Sequence, residues 1–327
     1  MYKLDLKDKK ILYALDKNSR ASFTNIGKEV GMAPENVRYR INSFLKNGII
    51  KYNIAIINAA KLGASYYDVY IKLQNVDEKK KSEVISFFIN SQKVTWIGDI
   101  EGTFDIAMIV MVWNQIELQE WMNEFHKKFS AVIMKKTVAI NIRGEFLRRD
   151  YLVGYKREDK QMIKKSVNVE YSASEDLFRL DNIDAKICKS LATNSRISSV
   201  EIGKNLDISP DTAVLHIKKL MKENIITGFS IILDNEKIGQ MHYKLFIYLN
   251  NISEDKTLKL LSFMRLNNRV IAIIKTLAEW DYEIDLEVDN ISQLKEFTME
   301  MTNNFSEIIR DYNTVRVLDM PKYNFYP

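Results

Sequence analysis

Apolar positions recur at helical spacing through the first fifty residues of the chain, in short runs separated by turn signals. Ile11, Leu12 and Leu15 share one face of the first predicted helix, which Asp5 can cap. Ser22 can cap a second short helix, whose apolar positions are again spaced for burial on one side. The start of the chain is therefore predicted to be helical.

The third predicted helix begins at Pro34, because proline is favoured at the first position of a helix, and ends at the C-cap pair Asn47-Gly48. A tight turn at 31–33 separates it from the helix before it. Two short helices joined by such a turn predict a helix-turn-helix. The apolar segment 49–57 is predicted to be an extended wing or connector.

The following residues alternate between strand and helical periods. Tyr67, Val69, Ile71 and Leu73 alternate as a half-buried strand. The predicted elements after it are a helix at 78–90, strands at 94–97 and 105–112, a helix at 118–129 and a strand at 138–142. The order β-α-β-β-α-β is typical of a ferredoxin-like sandwich, so the fold class is α+β.

The whole pattern occurs twice in the chain. Residues 4–50, shifted by 176 positions onto 180–226, share 18 identities in 47 aligned positions, far more than composition alone produces. The offset persists at Phe104-Asp105, which aligns with Trp280-Asp281. The predicted organisation is helix-turn-helix domains at 1–57 and 176–233, α+β domains at 62–143 and 238–320, and a charged linker at 144–175.

The linker lacks a clear apolar period and is rich in basic residues. It is predicted to be solvated, with contact to a DNA backbone as the alternative. Its bases are Arg148, Arg149, Lys156, Arg157, Lys160, Lys164 and Lys165.

Composition narrows the class of protein. An apolar share of 46% and a charged share of 28% are typical of a soluble globular protein, and the sequence has no membrane-length apolar stretch. The single cysteine, Cys188, cannot form an internal disulfide, which favours a cytoplasmic location. The three histidines have no metal-ligand spacing, and there is no Gly-rich phosphate loop, so no metal or cofactor is predicted.

A helix-turn-helix presents the exposed face of its third helix to the major groove, where arginine and asparagine read base edges and bases also meet phosphates. The candidate DNA contacts of the first copy are Asn36, Arg38, Tyr39, Arg40, Asn42 and Lys46. Those of the second copy are Thr212, His216, Lys218 and Lys219.

The two copies differ in charge. Residues 1–50 hold ten Lys/Arg and five Asp/Glu, a net +5, whereas residues 176–227 hold eight and seven, a net +1. The second copy also replaces Arg38 with Val214 and Arg40 with His216. Because non-specific affinity for DNA comes mostly from phosphate neutralisation, the first copy is expected to bind DNA more tightly.

The repeated motifs Leu4-Asp5, Asn18-Ser19-Arg20, Ile26-Gly27-Lys28 and Ile49-Ile50, followed by β-α-β-β-α-β, resemble the Lrp/AsnC family of transcription regulators. The resemblance covers nearly the whole chain, twice, apart from the linker. It implies operator binding by paired helix-turn-helix domains, pairing of the effector domains through their sheets, and modulation by an amino acid or other small metabolite. Members with one copy per chain pair as dimers, so this chain is expected to form a pseudo-dimer or a homo-oligomer.

The family's effector region carries a Gly-x-x-Asp turn between the middle strands, which here is Gly102-Thr103-Phe104-Asp105. The second copy has Ala278 in place of the glycine and keeps Asp281. The resemblance implies at most one effector site, around 98–105. Its candidate residues are Gly98, Gly102, Thr103, Asp105 and Asp281. Backbone geometry and turn capping are the structural alternative for these positions.

Two other functions remain open at this point. One is an effector-free architectural protein or co-regulator that binds DNA, which the eroded turn of the second copy favours. The other is an enzyme, since fused pairs of this architecture also resemble sirohaem decarboxylases, which carry histidines in the region equivalent to 94–108. Neither that region nor its copy around 270–275 contains a histidine here, so proton transfer lacks its usual group.

Overall fold

The structure is a computed structural model that describes residues 2–157, 166–172, 176–250 and 253–326. Each copy begins with three helices. In the first copy these are α1 Leu6–Lys17, α2 Phe23–Val30 and α3 Pro34–Lys46. Asp5 caps α1 in a reciprocal pair with Asp8, as expected for a carboxylate at a helix N-terminus. We call this unit of three helices head one.

The second copy repeats the arrangement as head two. Its helices are α6 Asn182–Thr193, α7 Ser199–Leu206 and α8 Pro210–Lys222. Asp181 caps α6 by accepting a hydrogen bond from the amide of Asp184. Among the described residues, no helix is long and apolar enough to cross a membrane.

A two-stranded antiparallel ribbon joins the heads. It pairs β1 Ile50–Ile57 with β7 Ile226–Leu233, and Ile50 lies opposite Leu233 while Ile57 lies opposite Ile226. The segment predicted to be an extended wing or connector is therefore a strand, and it pairs with the equivalent strand of the other copy. Because each strand follows directly on the third helix of its head, the ribbon ties the two recognition helices together.

The two α+β domains fuse into one closed barrel of eight strands. The strands are β2 Ser65–Leu73, β3 Val94–Glu101, β4 Ile106–Val112, β5 Ile133–Phe146, β8 Met241–Leu249, β9 Val270–Leu277, β10 Tyr282–Val288 and β11 Ile309–Tyr323. Their order is β2-β4-β3-β11-β8-β10-β9-β5, and β5 pairs back to β2. Pairing of β3 with β11 and of β5 with β9 crosses between copies, at equivalent positions in the repeat.

Four helices cover the outside of the barrel: α4 Glu78–Ile89, α5 Gln115–Phe129, α9 Glu254–Leu266 and α10 Ile291–Phe305. Val69 and Ile71 of β2 pack under the helices of the first copy, while Tyr66 and Tyr70 point to the barrel interior. The prediction that this strand is half-buried was wrong, because closure of the barrel buries its second face as well.

The prediction of a solvated linker at 144–175 was also wrong where the structure describes it. Strand β5 continues to Phe146, and β6 Val167–Glu170 adds to its edge. The guanidinium groups of Arg149 and Arg157 are buried in ion pairs, so these two bases face protein and not DNA. The bases Lys160, Lys164 and Lys165 lie outside the described residues.

The aromatic C-terminal segment docks onto the barrel. Tyr323 ends β11 opposite Trp96, and Phe325 is buried against Phe146. The hydroxyl of Tyr66 donates a hydrogen bond to the carbonyl of Phe325. This segment therefore belongs to the core of the barrel.

Candidate nucleic-acid interface

A reciprocal polar contact fixes the two heads against each other. The hydroxyls of Ser19 and Ser195 lie 2.6 Å apart across the pseudo-twofold axis. Arg20 donates to the carbonyl of Ile197 at 2.9 Å, and Arg196 donates to the carbonyl of Ala21 at 3.2 Å. The repeated Asn-Ser-Arg motif is thus an interface between the copies, which the sequence alone did not reveal.

The recognition helix of head one presents an unpaired polar face. The side chains of Asn36, Arg38, Asn42 and Lys46 are exposed, and Tyr39 is 76% exposed. Among the described residues, none offers Arg38 or Lys46 a hydrogen bond or an ion pair. These side chains are therefore available for base edges and phosphates.

Arg40, also predicted to contact DNA, is held inside head one. Its Nη1 lies 2.6 Å from Asp5 Oδ2 and 2.5 Å from Asp8 Oδ1. The two ion pairs hold α3 against the start of α1. The carboxylates also raise the pKa of Arg40 above its ordinary value. The structure corrects this prediction: Arg40 acts as a clamp between two helices, because the capping carboxylates of α1 lie within its reach.

Head two builds the same clamp from different residues. His216 Nδ1 lies 2.7 Å from Asp184 Oδ1, and Lys219 Nζ lies 2.6 Å from Asp184 Oδ2. The hydroxyls of Thr212 and Ser209 lie 2.8 Å apart at the N-cap of α8. His216, Lys219 and Thr212 therefore have partners within head two, and their contact with DNA stays a prediction.

The ligand atoms of Asp181, Asp184 and His216 lie within 4.8 Å of one another, a spacing that suits a metal ion. The ammonium group of Lys219 already bridges the two carboxylates, at 3.4 Å from Asp181 and 2.6 Å from Asp184. Lys219 thus takes the place of a cation there, as Arg40 does in head one.

Lys218 remains exposed on α8, and Leu215, at the position of Tyr39, is 65% exposed. An aliphatic side chain at this position can contact a thymine methyl group but cannot bind phosphate. Of the DNA-binding candidates in head two, only Lys218 presents an exposed charge without an ion pair among the described residues.

The predicted effector turn is occupied by contacts within the chain. Asp105 Oδ2 accepts a hydrogen bond from the amide of Leu73 at 2.7 Å, and Asp105 Oδ1 lies 2.8 Å from Lys72 Nζ. In the second copy, Asp281 Oδ2 accepts from the amide of Leu249 at 2.9 Å. Both aspartates cap the end of a neighbouring strand.

The turn glycines have geometric roles. Gly102 adopts a φ of +138°, and a Cβ there would lie 3.1 Å from the carbonyl oxygen of Thr314 on β11. A Cβ at Gly98 would lie 2.6 Å from the indole of Trp96. Thr103 is exposed on the turn. Gly102 thus permits close packing between the copies, and Gly98 makes room for the indole of Trp96 on its own strand.

A buried polar network inside the barrel was missed by sequence reasoning. Tyr70 donates to Glu283 at 2.6 Å, and Lys244 Nζ lies 2.9 Å from Glu283 and 3.2 Å from Asp285. Asp68 accepts a hydrogen bond from Asn141 at 2.7 Å. Asp68 and Lys244 are equivalent positions of the repeat, so the signal was a charge reversal between copies at a buried strand position.

The network shifts the pKa values of its carboxyl groups. Burial and the neighbouring Glu283 carboxylate raise the pKa of the Asp68 carboxyl well above its usual range. Burial alone would also raise the pKa of Asp285, but the charges of Lys244 and His242 lower it to about 2. The pKa values of the two carboxyls are therefore shifted in opposite directions although both lie in the barrel.

A second buried network links head one to the barrel and the ribbon. Arg149 Nη1 lies 2.7 Å from Asp16 of α1, and Arg149 Nε lies 3.0 Å from Glu287 of β10. Ser230 of β7 donates to the carbonyl of Asp16 at 3.0 Å. This network joins three elements that would otherwise meet only through apolar contacts.

A cavity of about 90 Å³ lies between the ribbon and the barrel. Ile54 and Ile56 of β1 and Ile232 of β7 line one side. Trp96 and His242 line the barrel side. The cavity therefore lies against β1 and β7, the strands that follow the recognition helices of the two heads.

Comparison with known proteins agrees with this architecture. The family model for winged helix-turn-helix DNA-binding domains matches residues 4–51 and 180–227. An uncharacterised helix-turn-helix-type transcriptional regulator of Pyrococcus furiosus is 36% identical over 134 residues, which are 41% of this chain and 89% of the relative. The regulator FL11 of the same organism is 28% identical over 120 residues, 37% of this chain and 78% of FL11.

Among solved structures, the sirohaem decarboxylase NirDL aligns with 97% of this chain and 93% of its own, with a TM-score of 0.59 and 14% identity. At this identity the likeness shows the shared fold alone. The regulators of Pyrococcus furiosus match over most of their own length but over less than half of this chain, which holds two such units. The chain belongs to the Lrp/AsnC family of DNA-binding transcription regulators and carries the regulator unit as a tandem duplication.

Proposed function

We propose that one chain binds an operator with both heads at once, in the cytoplasm, and that head one supplies most of the affinity. The observation that carries this proposal is the exposed face of α3 with Arg38 and Tyr39, whose equivalents in head two are the apolar Val214 and Leu215. The exposed Lys46 has an exposed equivalent in Lys222, so the difference between the heads lies in these two positions. The reciprocal contact of Ser19 with Ser195 supports a fixed spacing between the heads.

The proposed contacts divide by type. Arg38 and Asn42 suit base edges, because guanidinium and amide groups can each make two hydrogen bonds to a purine. Lys46 and Lys218 suit phosphates, where a flexible ammonium adds affinity with little sequence preference. On this assignment the two half-sites of the operator differ, and the half-site under head one is read with greater stringency.

The test compares the unmodified chain with Arg38→Ala, Lys218→Ala and a control, Lys259→Ala, in binding to promoter DNA over a range of salt concentrations. Lys259 lies on the outer helix α9, away from the heads, so its loss removes the same charge without a proposed contact. Arg38→Ala is expected to cost about 1–3 kcal/mol if it reads a base, and Lys218→Ala to lower the salt slope by about one. Unchanged binding in both variants would refute the assignment.

Modulation by an amino acid or other small metabolite is a proposal that rests on the family resemblance. At the turn 98–105 an amino-acid ligand would have to displace Lys72 or the amide of Leu73, which Asp105 already binds. Calorimetry with the twenty amino acids tests this site. Loss of any heat signal together with intact DNA binding would favour the effector-free alternative.

A second candidate, sirohaem decarboxylation, is favoured by one observation, the whole-chain fold likeness to NirDL. The cavity of about 90 Å³ is too small for a tetrapyrrole, since sites for ligands of drug size enclose about 300–1,000 Å³. The larger cleft of about 690 Å³ beside Arg157 and Asn268 has no histidine among its lining residues to transfer a proton. Absorbance titration with sirohaem decides between the regulator and the enzyme. A saturable shift in the absorbance spectrum, together with loss of carboxylate groups from the sirohaem, would establish the enzyme.

A further inference from the structure

The cavity between ribbon and barrel holds two buried polar atoms that have no hydrogen-bond partner among the described residues. These atoms are Nδ1 of His242 and the hydroxyl oxygen of Tyr171. Their side chains line the cavity and are 5% and 0% exposed. An unsatisfied buried polar group costs about 1–3 kcal/mol, so two of them at one cavity indicate a place where a polar partner binds.

Neighbouring residues fix the positions of both side chains. His242 Nε2 lies 2.8 Å from Asp285, which orients the ring so that Nδ1 is the remaining free nitrogen. The ring of Tyr171 fits only because residue 144 is glycine, since a Cβ there would lie 2.6 Å from the ring. The other face of this ring packs edge-on against Tyr66. Both groups are thus held in place before any ligand arrives.

The charged groups around the cavity bind one another. Arg149 pairs with Asp16 and Glu287, and Lys244 pairs with Glu283 and Asp285. Arg148, which also lines the cavity, donates to the carbonyl of Asp16. A zwitterion or a cation would therefore meet no unpaired carboxylate among the described lining residues, and the desolvation of its positive group would go uncompensated. The walls between the polar groups are apolar.

The size of the cavity limits the ligand. A volume of about 90 Å³ accommodates roughly six to nine water-sized spheres, since one sphere needs about 10–15 Å³. A hydroxyl group can donate to a neutral imidazole or accept from a protonated one, and can do the same with the phenol of Tyr171. A compact apolar body that carries a hydroxyl group matches the two polar atoms in hydrogen-bonding chemistry and the apolar walls between them.

We propose that this cavity binds a small uncharged alcohol or phenol, with its hydroxyl between His242 and Tyr171 and its apolar part against the ribbon. The inference rests on the proposed function in one respect, because a ligand there would regulate DNA binding by shifting the strands that carry both heads. The proposed site differs from the turn at 98–105 in place and in the class of its ligand.

The experiment measures binding of phenol to the full chain by calorimetry and by fluorescence of Trp96, which lines the cavity. Toluene, with the same number of non-hydrogen atoms and no hydroxyl, and leucine, a zwitterion, are the comparison ligands. Phenol is expected to bind about tenfold more tightly than toluene, and leucine not at all. This comparison needs no substitution, so it stands even where a variant fails to fold.

Two variants locate the hydroxyl. Tyr171→Phe removes the phenol group and keeps the ring against Gly144, and His242→Gln keeps a nitrogen near Asp285 while it removes Nδ1. Each is expected to weaken phenol about tenfold and to leave toluene unchanged. Equal binding of phenol and toluene, equal losses for both ligands in the variants, or no binding of phenol would overturn the proposal.

DNA binding measured on the same samples separates the two claims. Absence of phenol binding with normal DNA binding would overturn only the cavity proposal. Phenol binding by a chain that does not bind DNA would support the cavity and refute the proposed function.

Discussion

Arg149 is the side chain whose loss should cost head one the most stability, because two buried carboxylates depend on it. Asp16 is 2% exposed and the side chain of Glu287 is fully buried. Burial would raise the pKa of Glu287, but Arg149 and His242 hold it below its usual range, so its charge persists to acid pH. Arg149→Ala leaves both buried carboxyl groups without their counter-ion.

The expected loss in the free energy of unfolding follows from the effect of breaking a buried ion pair. Removal of one partner from a buried pair typically destabilises by about 3–5 kcal/mol. The repeat supplies a natural comparison, since the positions equivalent to Asp16, Arg149 and Glu287 are Ala192, Phe325 and Met111. All three of these are buried in one apolar cluster that residues of both copies form. The triple variant Asp16→Ala, Arg149→Phe, Glu287→Met is therefore expected to lose less than about 2 kcal/mol.

Hydrogen exchange of the α1 amides measures this, because it reports the opening free energy of head one separately from the rest of the chain. The single variant is expected to lower protection more than the triple variant, although it replaces one residue and the triple variant replaces three. A triple variant less stable than the single variant would refute the reasoning, since it would mean that the ions themselves stabilise the interface. Because Glu287 has a lowered pKa, its contribution is present at neutral pH and is lost as the pH falls through that value.

Three further predictions concern the heads. Arg40→Ala should destabilise head one by about 1–2 kcal/mol in urea denaturation, because it leaves Asp8 without its ion pair, and should leave the salt slope of DNA binding unchanged; a lower slope would restore Arg40 as a DNA contact. Burial raises the pKa of the Cys188 thiol to about 12, so iodoacetamide at pH 8 should leave it unmodified in the folded chain, as mass spectrometry would show. Ser19→Ala should cost about 1 kcal/mol by stranding the hydroxyl of Ser195, and the double alanine variant should cost less than the sum of the singles.

The sequence predicted the elements well because their signals are local. Caps such as Asp5 and Asp181, the prolines that start α3 and α8, and the strand and helix periods depend on neighbours within one or two turns. The repeat supplied a second reading of each element, and the α+β class and the family were confirmed.

Contacts between the copies could not be predicted in the same way. The pairing of Ser19 with Ser195 spans 176 residues, and the clamp of Arg40 depends on the angle at which α3 crosses α1. An exposed arginine and a clamped arginine look alike in a helical pattern. The linker was misjudged for the same reason, since a charged segment without apolar period can still be buried when its bases, such as Arg149, meet acids from other elements.

Fusion of the two copies explains the charge pattern inside the barrel. In a homodimer, equivalent positions near the twofold axis carry the same residue, so an acid at position 68 would bring two acids into one buried space. The fused chain places Lys244 at the equivalent position, and Glu283 and Asp285 complete the network with it. An acid and a base at equivalent buried positions require two copies that differ in sequence, and a single polypeptide ensures that the correct copies pair. The same freedom lets one head keep its DNA-binding charge while the other changes, which a symmetric dimer cannot do.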